Sequence, residues 1–405
     1  MDRPPARVGW WEPGGALRRS PWGVAGLAVL GLLLAVCVGA VPVALAPVAE
    51  PGTAHMEGQG LARPTSPRYD VTNRLALRLP PFWAWWEWSA ADRVEARAAL
   101  AFDSVRRAEA DRRGVSLEAL EAAGYTPAQG GGQGGGAARY WLGTDTLGRS
   151  VLWRLLFGGA ISLGIGLAAA GISVVLGTLY GAAAGYAGGR VDGVMMRAVD
   201  VLYGLPYVLL VVLLAVASEG LVDRLIAAGA GQSGSGGAGG AGGLVGWLGG
   251  VVGAYRSAIE VGTLLLAIGA VSWLTLSRVI RGQVLSLKSQ PFVEAARAMG
   301  ARPGRIFARH LGPNLVGPVV VYATLTVPQA ILQESFLSFL GIGVQPPLPS
   351  WGNMASDGLT ELNTVRSNWW LLVFPCVMLG VTLLALNFVG EAVREALDPK
   401  RSAAR

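Results

Sequence analysis

Four stretches of this chain, Ser20–Ala49, Leu155–Gly189, His310–Gln333 and Ser367–Gly390, contain no Asp, Glu, Lys or Arg. Each is long enough to cross a bilayer, since a helix needs about 20 apolar residues to traverse roughly 30 Å of hydrocarbon. Two shorter runs, Val201–Ser218 and Val261–Ser277, reach spanning length once flanking Met, Ala, Ile or Trp residues are included. Together they predict an all-α integral membrane protein with six transmembrane helices. Composition agrees: only 15% of residues are charged and mean hydropathy is +0.46, against about 25% charge in a soluble domain.

Ser20–Ala49 follows Arg18 and Arg19 and ends near the small-residue triplet Ala44-Leu45-Ala46, as a cleavable signal would. A signal core is about 7 to 15 residues; this uncharged run is longer, and the sequence predicts an anchor instead. Both cysteines, Cys37 and Cys376, fall inside expected spans, so no disulfide framework is indicated.

Orientation follows from basic residues in short loops. The loop over residues 278–312 carries Arg278, Arg281, Lys288, Arg297, Arg302, Arg305 and Arg309 against one acid, Glu294, and is expected in the cytoplasm. Parity then puts both termini inside. The expected order is a cytoplasmic N-terminus (1–21), a first span (22–48), an extracytoplasmic insert (49–140), a membrane core (141–400) and a cytoplasmic tail (401–405). Within the core lies a Gly-rich external loop, 220–257. The insert predicts helices over Ala90–Arg113 and from Ser116, then a Gly-rich linker at Gly130–Gly136. Its Trp83, Trp85, Trp86 and Trp88 read as an interfacial aromatic belt.

Several chemistries are excluded. A phosphate-cradling P-loop needs Gly-Lys-Ser/Thr, yet Lys288 follows Leu287 and Lys400 follows Pro399. His55 and His310 fall on opposite sides of the membrane, which disfavours a histidine zinc site or triad. Gly229, Gly231 and Gly234 have the spacing of a dinucleotide fingerprint but no preceding strand and no acid about 20 residues on. No cofactor and no nucleic-acid partner is expected; the partner of the spans is lipid. Asp200 and Glu334 are the acids nearest the span cores, with Glu334 a candidate for the translocation path. An ion-coupled carrier would usually hold more ionisable groups at membrane depth. That class and a membrane scaffold stay open as alternatives.

The basic loop contains Gln290-Pro291-Phe292-Val293-Glu294-Ala295-Ala296-Arg297-Ala298-Met299-Gly300. Ser289 or Gln290 can cap a short helix, Pro291 suits its first turn, Glu294 favours the positive end of the dipole, and Gly300 is a left-handed stop. Phe292, Ala295, Ala296 and Met299 share one apolar face. A second helix is expected from Pro303, with Pro313 opening the next span. Such a helix pair either seats in a groove of a soluble protein or lies on anionic lipid.

Glu294-Ala295-Ala296, Gly300 and Pro313 resemble the EAA motif of ABC importer permeases. The wider segment EAARAMGARPGRIFARHLGPN is similar to the C-type permease of oligopeptide and dipeptide importers. Leu142-Gly143-Thr144-Asp145-Thr146-Leu147-Gly148-Arg149, Gly185 to Asp192, Ser338 to Pro347, Ser350-Trp351-Gly352-Asn353-Met354 and Glu395 to Pro399 also resemble that family. Ser150 stands where an Asp is usual, and Gly312 where an apolar side chain is. The resemblance covers roughly Arg139–Ser218 and Glu260–Lys400. It implies a type I importer permease fold without enzymatic activity, paired with a homologous permease, two cytoplasmic ATPases and an extracytoplasmic solute-binding protein. It also implies that Glu294, Ala295, Ala296, Met299, Gly300 and Pro313 form the coupling region that docks on the ATPase. Relatives of this type serve peptides, nickel chelates, glutathione or other small solutes.

Overall fold

A computed structural model describes residues 20–49, 65–72, 77–78, 80–81, 140–232, 256–362 and 367–397. The helices expected within the insert, its tryptophan cluster and its glycine linker lie outside the described residues.

In hydrocarbon every backbone N–H and C=O must be satisfied within the chain, which leaves helices as the way for these apolar runs to cross. The described chain is accordingly built from long helices. They are α1 (Pro21–Leu45), α2 (Val151–Ala187), α3 (Gly189–Tyr203), α4 (Tyr207–Gln232), α5 (Arg256–Lys288), α6 (Pro291–Ala298), α7 (Pro303–Phe339), α8 (Trp351–Thr360) and α9 (Trp370–Leu397). A two-stranded antiparallel ribbon pairs β1 (Pro47–Ala49) with β2 (Thr65–Pro67).

Helices α1, α2, α5, α7 and α9 are each long and apolar enough to span a membrane, and a sixth candidate is α3 with the first turns of α4, bent by 91°. This corrects the straight span expected over Val201–Ser218. Gly204-Leu205-Pro206 interrupts it, because proline disfavours helical geometry in the residue before it and supplies no N–H. Val201 to Tyr203 instead end the amphipathic α3, and the apolar run resumes at Tyr207. Helix α4 extends to Gln232, into the stretch expected to be loop.

Two compact units divide the chain. The first, residues 1–33, 162–345 and 380–405, contains most of α2 and all of α3 to α7. Its α2 and α5 approach closely through Gly177, Gly181 and Gly185, spaced four apart on one stripe. A Cβ at Gly185 would lie 2.9 Å from the Arg281 carbonyl oxygen and one at Gly177 2.8 Å from Leu276 Cβ, while one at Gly181 would collide with the Ser277 carbonyl. Such small-residue spacing lets transmembrane backbones meet where lipid gives no hydrophobic drive to associate. Sequence reading missed this seam, although the four-residue glycine period was there to be found.

The second unit, residues 34–161 and 346–379, is organised around the segment 142–150. Left-handed Gly143 (φ 80°) and Gly148 (φ 73°) turn the chain so that Thr144 bridges Ser150. Asp145 accepts from the backbone N–H groups of Leu147 (2.9 Å) and Arg149 (2.8 Å) and from Arg149 Nε (2.8 Å). Arg149 Nη1 also donates to Asp70 (2.9 Å). The Trp370 indole N–H donates to the Thr144 carbonyl at 3.3 Å, and that of Trp351 to Leu155 O at 3.0 Å. Ser350 and Asn353 close a reciprocal capping box at the start of α8. Two motifs that carried the family resemblance thus have local structural reasons.

Candidate coupling segment

Helix α6 forms as its sequence dictates, with one refinement. Gln290 is the N-cap in extended geometry but makes no side-chain cap bond, and Pro291 occupies the first turn. Glu294 lies in that first turn, where the helix dipole favours an acid. At the other end Gly300 is left-handed (φ 77°), and Ala301 N–H donates to Ala296 O at 3.1 Å, the six-to-one bond of a Schellman stop.

The predicted apolar face splits. Ala296 turns inward together with Val293, a residue the sequence reading left off that face; both are buried against Ile280 and Val284 of α5 and Ile306 and Leu311 of α7. Phe292 (41% exposed), Met299 (82%) and Ala295 remain outside, as do Glu294 and Gly300. The helix is anchored on one side and presents an apolar ridge flanked by an acid on the other.

Pro313 stands in the first turn of the α-helical stretch Gly312–Phe339, as expected, but that stretch is joined without a break to the one before it. Helix α7 runs continuously from Pro303 because Phe307–Leu311 form a π turn, whose wider ring accommodates the proline that follows. Gly312 adds no side chain at that seam, and Asn314 Nδ2 donates to His310 O at 2.6 Å.

Three of the seven basic residues in the loop hold the segment in place. Arg281 Nε and Nη2 donate to Asp192 of α3 at 2.5 and 2.6 Å, Arg278 pairs with Asp200 at 2.8 Å, and Lys288 Nζ donates to the last-turn carbonyl of Tyr186 at 2.7 Å. The Gly185 to Asp192 motif is the other half of this arrangement: Gly188 and Gly189, both left-handed, end α2 and aim Asp192 at α5. Arg297, Arg302, Arg305 and Arg309 are exposed.

Glu334 lies 21 residues beyond Pro313 along α7, about 30 Å at 1.5 Å per residue. Its side chain is fully buried; Ser338 Oγ donates to it at 2.8 Å and Ser335 Oγ at 3.3 Å, while Val344 N–H donates to Ser338 Oγ at 3.0 Å. The acid thus stabilises the turn after α7 and is not brought together with the coupling segment.

This is the arrangement of a multi-span membrane protein with a surface helix mounted on its spans. Residues 173–403 match the family model of the binding-protein-dependent transport system inner membrane component, and the chain belongs to that family. It is 40% identical over 264 residues to the dipeptide transport system permease protein DppC of Bacillus subtilis (strain 168), covering 65% of this chain and 70% of the relative. It is 43% identical over 261 residues to the oligopeptide transport system permease protein OppC of Escherichia coli (strain K12), covering 64% and 72%. The corresponding values for OppC of Haemophilus influenzae (strain ATCC 51907 / DSM 11121 / KW20 / Rd) are 41% over 261 residues, 64% and 70%. The protein is therefore a multi-pass inner-membrane permease component of a binding-protein-dependent importer, and the ion-coupled carrier and scaffold readings fall away.

Proposed function

We propose that this permease forms one wall of a path for peptides or similar small solutes, beside a homologous permease, and is driven by two separate ATPases after delivery by an extracytoplasmic binding protein. The relatives' names, dipeptide and oligopeptide permeases, support the substrate class. The single observation that carries the coupling role is the division of α6: Val293 and Ala296 root it in the chain while Phe292, Ala295 and Met299 stay uncovered. A helix so mounted transmits force, since its buried face moves with α5 and α7 as one body. Glu294, Ala295, Met299 and Gly300 then contact the ATPase, Ala296 and Pro313 set the helix's pose, and both termini lie in the cytoplasm. Glu334 acts on the path by holding the turn that follows α7.

The test is uptake of a labelled dipeptide by proteoliposomes holding the reconstituted importer. Glu294→Lys or Gly300→Trp is expected to abolish ATP-dependent uptake while membrane insertion persists. Normal uptake rates in both variants would overturn the assignment.

A further inference from the structure

A cavity of about 540 Å³ opens between the last turns of α2 and the start of α7, lined by Ala183, Tyr186 and Ala187 on one helix and Gly312, Val316 and Val319 on the other. Its lining is almost wholly apolar, and it opens outward, since Leu179 and Val316 at its edge are 64% and 51% exposed. Gly312 makes part of this space: a Cβ there would lie 3.3 Å from the Phe307 carbonyl oxygen.

Three dimensions point to one occupant. From Thr178 to Ala187 the lining runs nine residues along α2, about 14 Å at 1.5 Å per residue, which is half of the roughly 30 Å hydrocarbon core and so the depth of one leaflet. A second transmembrane helix would need a groove along the whole span. The volume of about 540 Å³ suits a slender apolar group such as a single acyl chain and is too small for a second helix. The charge lies at one end: Lys288 Nζ donates to the Tyr186 carbonyl at 2.7 Å and has two further N–H groups to offer an anion, and Arg305 and Arg309 are exposed on the turn flanking Phe307. Asp192 is the acid facing this end, and Arg281 already neutralises it.

We infer that this cavity binds one acyl chain of an anionic phospholipid, with the headgroup phosphate against Lys288. The inference needs only that the chain is membrane-embedded, not the coupling role of α6. Its test is native mass spectrometry of the full chain in mild detergent, titrated with phosphatidylglycerol and, separately, phosphatidylcholine. Phosphatidylglycerol should be retained at least about fivefold better, the worth of one basic residue near an anionic headgroup, and Lys288→Gln should lower that preference about fivefold. Ala183→Phe and Gly312→Leu, which fill the cavity from opposite walls, should each lower retention of both lipids about tenfold. If one variant fails to fold, the other decides. Equal retention of the two lipids by the unmodified chain, or undiminished retention in the folded cavity-filling variant, overturns the inference. So does efficient cross-linking of Ala183→Cys to a co-expressed second permease, which would assign the cavity to a protein partner.

Discussion

Individual side chains on α6 separate what folds the segment from what it presents. Val293→Ala removes two methyl groups from a fully buried site and is expected to lower stability by about 1 to 3 kcal/mol, the range of small core truncations. Met299→Ala and Phe292→Ala, on the exposed ridge, should leave the thermal midpoint nearly unchanged, within about 0.5 kcal/mol, yet impair ATP-driven uptake. Midpoints that fell equally in all three would show that the ridge is part of the core. A second residue-scale case is Thr178, whose hydroxyl is buried without a hydrogen-bond partner among the described residues. An unmet buried hydroxyl costs about 1 to 3 kcal/mol, so Thr178→Val, nearly the same shape, should be neutral or raise the midpoint measured by fluorescence-detected size exclusion. Loss of stability there would mean that the hydroxyl has a role in the membrane. Glu361 provides a pH-dependent case. Its hydrogen bond from Arg78 at 2.9 Å holds the carboxyl below the usual glutamate range. A depressed acid contributes stability above its ordinary value of 4.5, and that contribution disappears as pH falls through the folded-state value. Because Arg78 is 44% exposed, the contribution is under about 1 kcal/mol. Glu361→Gln should therefore lose less stability than the unmodified chain between pH 6 and pH 4, approximate bounds that bracket carboxylate titration; identical pH profiles would show that the pair contributes nothing.

At the scale of elements, the seam between α2 and α5 is the clearest prediction. Gly181→Ala places a methyl against the Ser277 backbone, which cannot yield without parting the helices; it should cost about 3 kcal/mol or more, as other severe overpacking does. Gly164→Ala and Gly171→Ala, where nothing lies within 4 Å, should be neutral or stabilising by up to about 1 kcal/mol through the higher helix propensity of alanine. Matched expression and midpoints in all three variants would remove the seam's claimed role. The same scale shows what the sequence could convey. Long uncharged runs announced α1 and α2 closely and the centres of α7 and α9, whose ends run on past the uncharged stretch, because hydrophobic length is a local property and lipid tolerates little else. The caps of α6 were also legible, from Pro291 and Gly300. What escaped depended on neighbours: that Ala296 turns inward beside Val293, that Pro313 rides through a π turn, and that α3 breaks from α4 at Pro206. The first is decided by which helices lie opposite, which periodicity cannot report; the other two follow from how the backbone accommodates Pro206 and Pro313, which hydrophobic pattern alone does not convey.

For the whole molecule, the strongest remaining inference is sidedness, because every coupling argument requires the 278–312 segment to face the ATPases. Seven basic residues against Glu294 favour the cytoplasm for that segment, and an odd number of spans separates it from α8. Leu359, 51% exposed on α8, and Met299, 82% exposed after α6, are therefore opposed reporters. In a background lacking Cys37 and Cys376, Leu359→Cys should react with a membrane-impermeant maleimide added to intact spheroplasts, while Met299→Cys should react only after permeabilisation. The reverse pattern would place the α6 ridge outside, where no ATP is available, and coupling through it would be physically impossible. Labelling of both sites from outside would instead show an even number of crossings between them, requiring α7 to enter and leave by the same face. Its 37 residues argue against that, since about 20 apolar residues in a helix already reach across the hydrocarbon core.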